Sequence, residues 1–296
     1  DEVKYPKTGF IFTLGMMGLQ NELPDAIRYD VFDHLLSTVE SNPNPDEFDA
    51  AFRVLGNLVM EGRIENPEYI KKIVEAAVDR LPDIKNEYQI NLFIETITNV
   101  VWPKYAGSSD VAQYALDALL EKAKGSDEEV ALVALRSIYQ VMEKKTDLSR
   151  EGLIPHAYVI KDMIPALKGV IKDAESNDVR GRALVTYSIL FANREDATPK
   201  ELTQFVAYIR DPDNSFKTDL NHSYYLALAN LAIPYLNNAV YEIGNDEAGL
   251  LAEIKALAAQ ESTQLSKEQI YFLGEAGRAY YSVSDSVRDS IARILE

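Results

Sequence analysis

Cysteine is absent from all 296 residues. That excludes disulfides, thiolate metal sites and cysteine nucleophiles. It leaves the redox compartment open, because cytosolic chains and many secreted bacterial chains alike do without cysteine. Histidine is scarce. His34, His156 and His222 lie far apart, and none belongs to the His-Glu-x-x-His pair that holds zinc on one helix face. Glycine-rich phosphate loops and the Gly-x-Ser-x-Gly nucleophile turn are missing too. Basic residues are in deficit, with 30 Lys and Arg against 47 Asp and Glu and a formal charge of −17. Such a surface argues against nucleic acid and against an anionic membrane, since both need clustered cations. The longest uncharged stretch, Leu220 to Tyr241, is interrupted by Asn230, Pro234, Asn237 and Asn238 and reads as a buried helix with its turn. No signal peptide is visible, and a start at Asp1 without Met points to a processed form or a piece of a longer protein.

What the chain does have is a period. A polar or acidic cap followed by apolar residues at helical spacing opens at 46, 86, 127, 177, 221 and 266, at intervals of 40, 41, 50, 44 and 45 residues. Ahead of each opening lies another helical segment. The expected pairs are Asp25–Glu40 with Asp46–Glu61, Pro67–Leu81 with Asn86–Trp102, and Ser109–Lys124 with Asp127–Lys144. Ile164–Ala174 with Asp178–Ala192, Pro199–Ile209 with Asn221–Tyr235, and Ala248–Gln260 with Ser266–Val283 follow. No hairpin signal or alternating β-branched run interrupts them. Apolar residues at 47% suffice for a folded core. The pattern predicts an all-α, right-handed α-α superhelix of about five to six antiparallel helix pairs, one solenoid domain over 1–296. Residues 1–45 form irregular first helices and 46–296 the repeated pairs.

Asn177-Asp178-Val179-Arg180 resembles the start of a HEAT second helix, in which Asp178 and Arg180 would link neighbouring repeats by ion pairs. Leu226-Ala227-Leu228-Ala229-Asn230-Leu231-Ala232 resembles the armadillo pattern, and Asn57 and Asn99 stand 42 residues apart in comparable helices. In armadillo proteins such asparagines hold the backbone of an extended peptide, because an amide both donates and accepts. The resemblance implies a track of Asn57, Asn99, Tyr139 and Asn230 on the second helices, although Tyr139 and Ile189 break a strict ladder. The competing reading is that each asparagine ties down a neighbouring loop. The 17 tyrosines, with Tyr224, Tyr225, Tyr271, Tyr280 and Tyr281 late in the chain, suit either a recognition surface or the core edge.

Phe52-Arg53-Val54-Leu55-Gly56-Asn57-Leu58 with Asn66-Pro67-Glu68-Tyr69-Ile70, and Ile270-Tyr271-Phe272-Leu273 with Tyr280-Tyr281-Ser282, also resemble helices of the activator module of clostridial-type collagenases. That resemblance implies a HEAT-like, substrate-recruiting arm of a larger secreted bacterial protease, with the peptidase elsewhere. Asp211, Asp213, Ser215 and Asp219 fall at positions 1, 3, 5 and 9 of a calcium loop. Phe216 replaces its turn glycine and His222 its bidentate glutamate.

Together these features point to a non-catalytic, acidic scaffold for a protein or an extended, basic peptide, without a cofactor. Two alternatives stay open: the protease arm, and an enzyme whose carboxylates only the fold assembles. Cytoplasmic and secreted bacterial settings fit equally.

Overall fold

The computed structural model describes residues 6–20, 23–41, 44–101, 109–143, 154–192, 198–236, 249–278, 289 and 291–294. These residues are helical and contain no strand. They divide into two compact units, Asp1–Lys161 and Asp162–Glu296.

The first unit holds α1 (Pro6–Gly18), α2 (Asp25–Ser41), α3 (Pro45–Met60), α4 (Pro67–Asp79), α5 (Glu87–Val100), α6 (Ser109–Ala123) and α7 (Glu128–Glu143). Two layers result. α2, α4 and α6 contact one another in order, and behind them α1, α3, α5 and α7 do the same. Each pair closes on itself, α2 on α3, α4 on α5, α6 on α7. The second unit holds α8 (Ile164–Asp173), α9 (Asn177–Ala192), α10 (Pro199–Arg210), α11 (Asn221–Pro234), α12 (Leu250–Ala258) and α13 (Lys267–Gly277). Its second helices again stack in order, α9 on α11 on α13. Each unit is thus an all-α solenoid built neighbour to neighbour, with three helix pairs among the described residues.

The caps explain where most helices begin. Asn44 accepts from Asp46 N at 3.0 Å with Pro45 in the first turn, so α3 opens slightly before the Asp46 expected from sequence. Asn66 does the same for α4, and Asn86 accepts from Gln89 N at 2.9 Å for α5. Thr198 with Glu201 and Ser266 with Gln269 form reciprocal capping boxes. Each such cap contributes about 1 kcal/mol. Asn221 behaves otherwise, because its amide donates back to Lys217 O at 3.0 Å.

The inter-repeat linkage expected of Asp178 and Arg180 is realised differently. Arg180 donates to Ile171 O at 3.0 Å and to Asn177 Oδ1 at 3.1 Å, tying α9 to the end of α8. Cross-repeat ion pairs occur elsewhere, two of them in the first unit. Arg136 of α7 meets Glu87 of α5 at 2.9 Å, and Lys122 of α6 meets Asp79 of α4 at 3.2 Å. Close backbone approach relies on glycine at two crossings. A Cβ on Gly56 would sit 2.7 Å from Thr96 Cγ2, and one on Gly181 would strike Ser223.

Asp49 is a cost within this core. It is buried on α3 and accepts from Gln89 of α5, yet its carboxyl is pushed up to about 6, first by burial and then by the nearby Asp46. Below about pH 4 the acid is neutral in folded and unfolded chain alike, and between about 4 and 6 only the folded chain keeps the proton. That proton's stabilising contribution is therefore lost as pH rises through 6. Asp49→Asn, which still accepts from Gln89, should raise stability at pH 7 by about 1–2 kcal/mol, since each pKa unit is worth at most about 1.4 kcal/mol. Urea denaturation at pH 4.5 and pH 7 checks this, and an equal effect at both values would refute it.

Candidate functional site

Second helices carry polar stripes on the flank they do not bury. On α3 the stripe runs Asp46, Arg53 and Asn57, and on α5 Glu87, Asn91, Glu95 and Asn99. Spacings of four and seven residues put these side chains on one face. Where α3 crosses α5, Arg53, Gly56, Asn57, Leu92, Glu95, Thr96 and Asn99 enclose a small hollow of about 50 Å³. Gly56 makes it possible, because any side chain there would meet Thr96 and push the helices apart.

Asn57 is exposed and Asn99 half-buried, and both line this hollow. Among the described residues neither side-chain amide has a hydrogen-bond partner. Two amides from consecutive repeats therefore open onto one surface, flanked by a cation at Arg53 and an anion at Glu95. Beyond them Arg136 of α7 donates to Glu87 and to Asn91 Oδ1 at 3.1 Å. That guanidinium holds the Glu87 carboxyl below its usual range. The α5–α7 crossing is thus closed by a polar clasp while the α3–α5 crossing is open. Tyr139 lies on α7 one turn beyond Arg136, half-buried, with its hydroxyl 3.5 Å from Glu143 Oε1.

Asn230 belongs to the second unit, on α11. Its amide donates to Ser188 Oγ of α9 at 2.8 Å, bridging two second helices instead of holding a loop. The structure therefore brings Asn57 and Asn99 together, places Tyr139 further along the same layer, and gives Asn230 a partner of its own. Arg53 and Glu95 went unnoticed in the sequence. Their signal was the i, i+4 spacing to Asn57 and Asn99.

The carboxylates at 211–219 do not assemble as a calcium loop. Asp211 caps the turn Pro212–Asn214 by accepting from Asp213 N at 3.0 Å, and Phe216 starts the helical turn Phe216–Asp219 with its ring buried. Among the described residues no group of three or more His, Asp or Glu is placed to hold a metal ion. The late tyrosines divide. Tyr224 and Tyr225 are core residues, Tyr271 is exposed, and Tyr280 and Tyr281 lie outside the described residues. The segments that resemble a collagenase module fall on α3, the start of α4 and α13, with Tyr280 to Ser282 again outside. No helix among the described residues is long and apolar enough to cross a membrane.

No family model matches the chain, and no curated protein matches it. Solved structures do. The similar folds include designed armadillo repeat proteins. One, described as computationally designed for modular peptide recognition, shares 19% identity at a TM-score of 0.39, covering 82% of this chain and 99% of that one. Another, in complex with the peptide (KR)4, shares 20% at a TM-score of 0.39, covering 83% and 99%. An engineered protein shares 16% at a TM-score of 0.42, covering 89% and 97%. At these scores the likeness carries no argument about what this chain does.

Proposed function

We propose that this protein is a binding scaffold without chemistry of its own, and that the second-helix face of its first unit holds an extended polypeptide. The observation that carries the reading is the pair of unpartnered amides, Asn57 and Asn99, opening onto one hollow one repeat apart. An extended backbone presents alternating donors and acceptors, and an asparagine can satisfy one of each. Arg53 and Glu95 beside them offer one charge of each sign to a ligand's side chains. The chain's −17 charge steers a basic peptide toward the surface. Tyr139, on α7 of the same unit, is proposed to extend the contacts, while Asn230 belongs to the separate face of the second unit. The hollow is too small to enclose a substrate, and Asp49, whose carboxyl is raised by burial, does not line it.

A fluorescein-labelled octapeptide of alternating Lys and Arg, with an all-Glu octapeptide as control, tests this by fluorescence anisotropy. Asn57→Ala and Asn99→Ala should each weaken binding about tenfold, as expected for a lost backbone hydrogen bond in a shielded site. Both positions leave the core, so thermal stability should change by less than about 0.5 kcal/mol. Binding of the basic peptide that survives the double substitution unchanged would refute the site.

A further inference from the structure

α5 carries the same four-residue step twice. Glu87-Tyr88-Gln89-Ile90-Asn91 and Glu95-Thr96-Ile97-Thr98-Asn99 each place a carboxylate one helical turn ahead of an amide. On a single helix the two pairs share one backbone geometry, so a group that fits one fits the other. The first pair is occupied from within the fold. The Arg136 guanidinium of α7 sets two nitrogens against the Glu87 carboxylate, at 2.9 and 3.4 Å, and the nearer one also donates to Asn91 Oδ1 at 3.1 Å. The protein thus displays what a Glu-x-x-x-Asn pair on this helix binds. It is a planar guanidinium, gripped at its fork by the carboxylate and at its side by the amide oxygen.

The second pair is turned elsewhere. Eight residues advance α5 by about 12 Å and rotate it by about 80°, so Glu95 and Asn99 line the hollow at the α3 crossing instead of meeting α7. Glu95 is exposed and Asn99 half-buried, and among the described residues neither side chain has a hydrogen-bond or ion-pair partner. Arg53 of α3 lines the same hollow and forms no ion pair with Glu95. We propose, resting on the peptide-binding reading above, that Glu95 and Asn99 seat the guanidinium of an arginine side chain of the bound polypeptide, and that this position selects arginine over lysine. Glu95 takes the fork, as Glu87 does for Arg136. Asn99 Oδ1 has two lone pairs and accepts from the guanidinium, while Nδ2 stays available to a ligand carbonyl. A lysine ammonium has no fixed fork and cannot bridge carboxylate and amide in one plane. A ligand anion would find Arg53, but it would also face Glu95 and the chain's −17 charge.

Two fluorescein-labelled octapeptides of equal charge, one alternating Ser and Arg and the other Ser and Lys, test this by anisotropy on the full chain. The arginine peptide should bind about fivefold tighter. Glu95→Gln should bring it to the level of the lysine peptide. Glu121→Gln, which removes the same charge from an exposed position on α6, should keep the difference. Arg53→Ala removes a like charge from beside the seat and should tighten the arginine peptide about twofold. All three side chains are exposed, so helical circular dichroism should not change. Equal affinity of the two peptides for the parent chain would overturn the arginine seat and leave the peptide-binding reading standing. Binding of neither peptide would overturn that reading and the seat with it. A preference for arginine that survives Glu95→Gln would also overturn the seat, as would weaker arginine binding in Arg53→Ala.

Discussion

Glu253→Ala should destabilise the second unit by about 3–4 kcal/mol. Glu253 lies on α12, buried, and three elements converge on its carboxylate. Lys217 Nζ is 2.7 Å from Oε1, the Tyr225 hydroxyl of α11 donates to the same oxygen at 2.9 Å, and Arg210 of α10 approaches Oε2 at 3.8 Å. Arg210 is itself fixed by donating to Gly249 O at 2.6 Å. A buried ion pair need not stabilise a fold relative to an apolar replacement, but removing one member leaves the others desolvated and unmatched, at about 3–5 kcal/mol. Lys217 is half-exposed and recovers hydration, which places the expectation toward the lower end. Glu253→Gln keeps an acceptor for Tyr225 and should cost about half as much. Urea unfolding followed by circular dichroism reads both. Equal stability of Glu253→Ala and the parent chain would show that the cluster contributes nothing.

Gly181→Val should cost about 3 kcal/mol and separate α9 from α11. A Cβ at Gly181 would strike the Ser223 hydroxyl and lie 3.0 Å from Ser223 Cβ, an atom that cannot move without the backbone. Overpacking of this kind costs about 1–3 kcal/mol, and a β-branched residue inside a helix adds to it. The same shift would stretch the Asn230–Ser188 hydrogen bond, one crossing further along the two helices. Pairing the substitution with Ser223→Gly should restore most of the loss, since the obstructing atoms are gone. Failure of that rescue would locate the strain elsewhere.

Composition and period were enough to determine the class of fold. Apolar residues recurring at three and four positions leave a strand nothing to alternate, and Asn-Pro, Thr-Pro and Ser-x-x-Gln punctuate the chain where helices must start. Asn66, Asn86, Thr198 and Ser266 cap as their residue types dictate, because capping is local chemistry. Asn221 shows the limit, since a nearby carbonyl captured its amide. The EF-hand-like spacing of Asp211, Asp213 and Asp219 failed for a related reason. Ligand spacing presumes an open loop, and burial of Phe216 winds those residues into helical turns instead.

The two helix asparagines were legible as residues but not as a site. Nothing in the order of amino acids told Asn57 and Asn99 from Asn230, since all three sit in apolar helices. Tertiary packing separated them. The absent side chain of Gly56 lets α3 and α5 approach, leaving two amides open to solvent beside Arg53 and Glu95, whereas Ser188 lies within reach of Asn230 and satisfies it. Burial decided Asp49 and Glu253 in the same way. Each is one of 47 acidic residues until the fold removes its water, and then its neighbours determine whether it costs stability or supplies it.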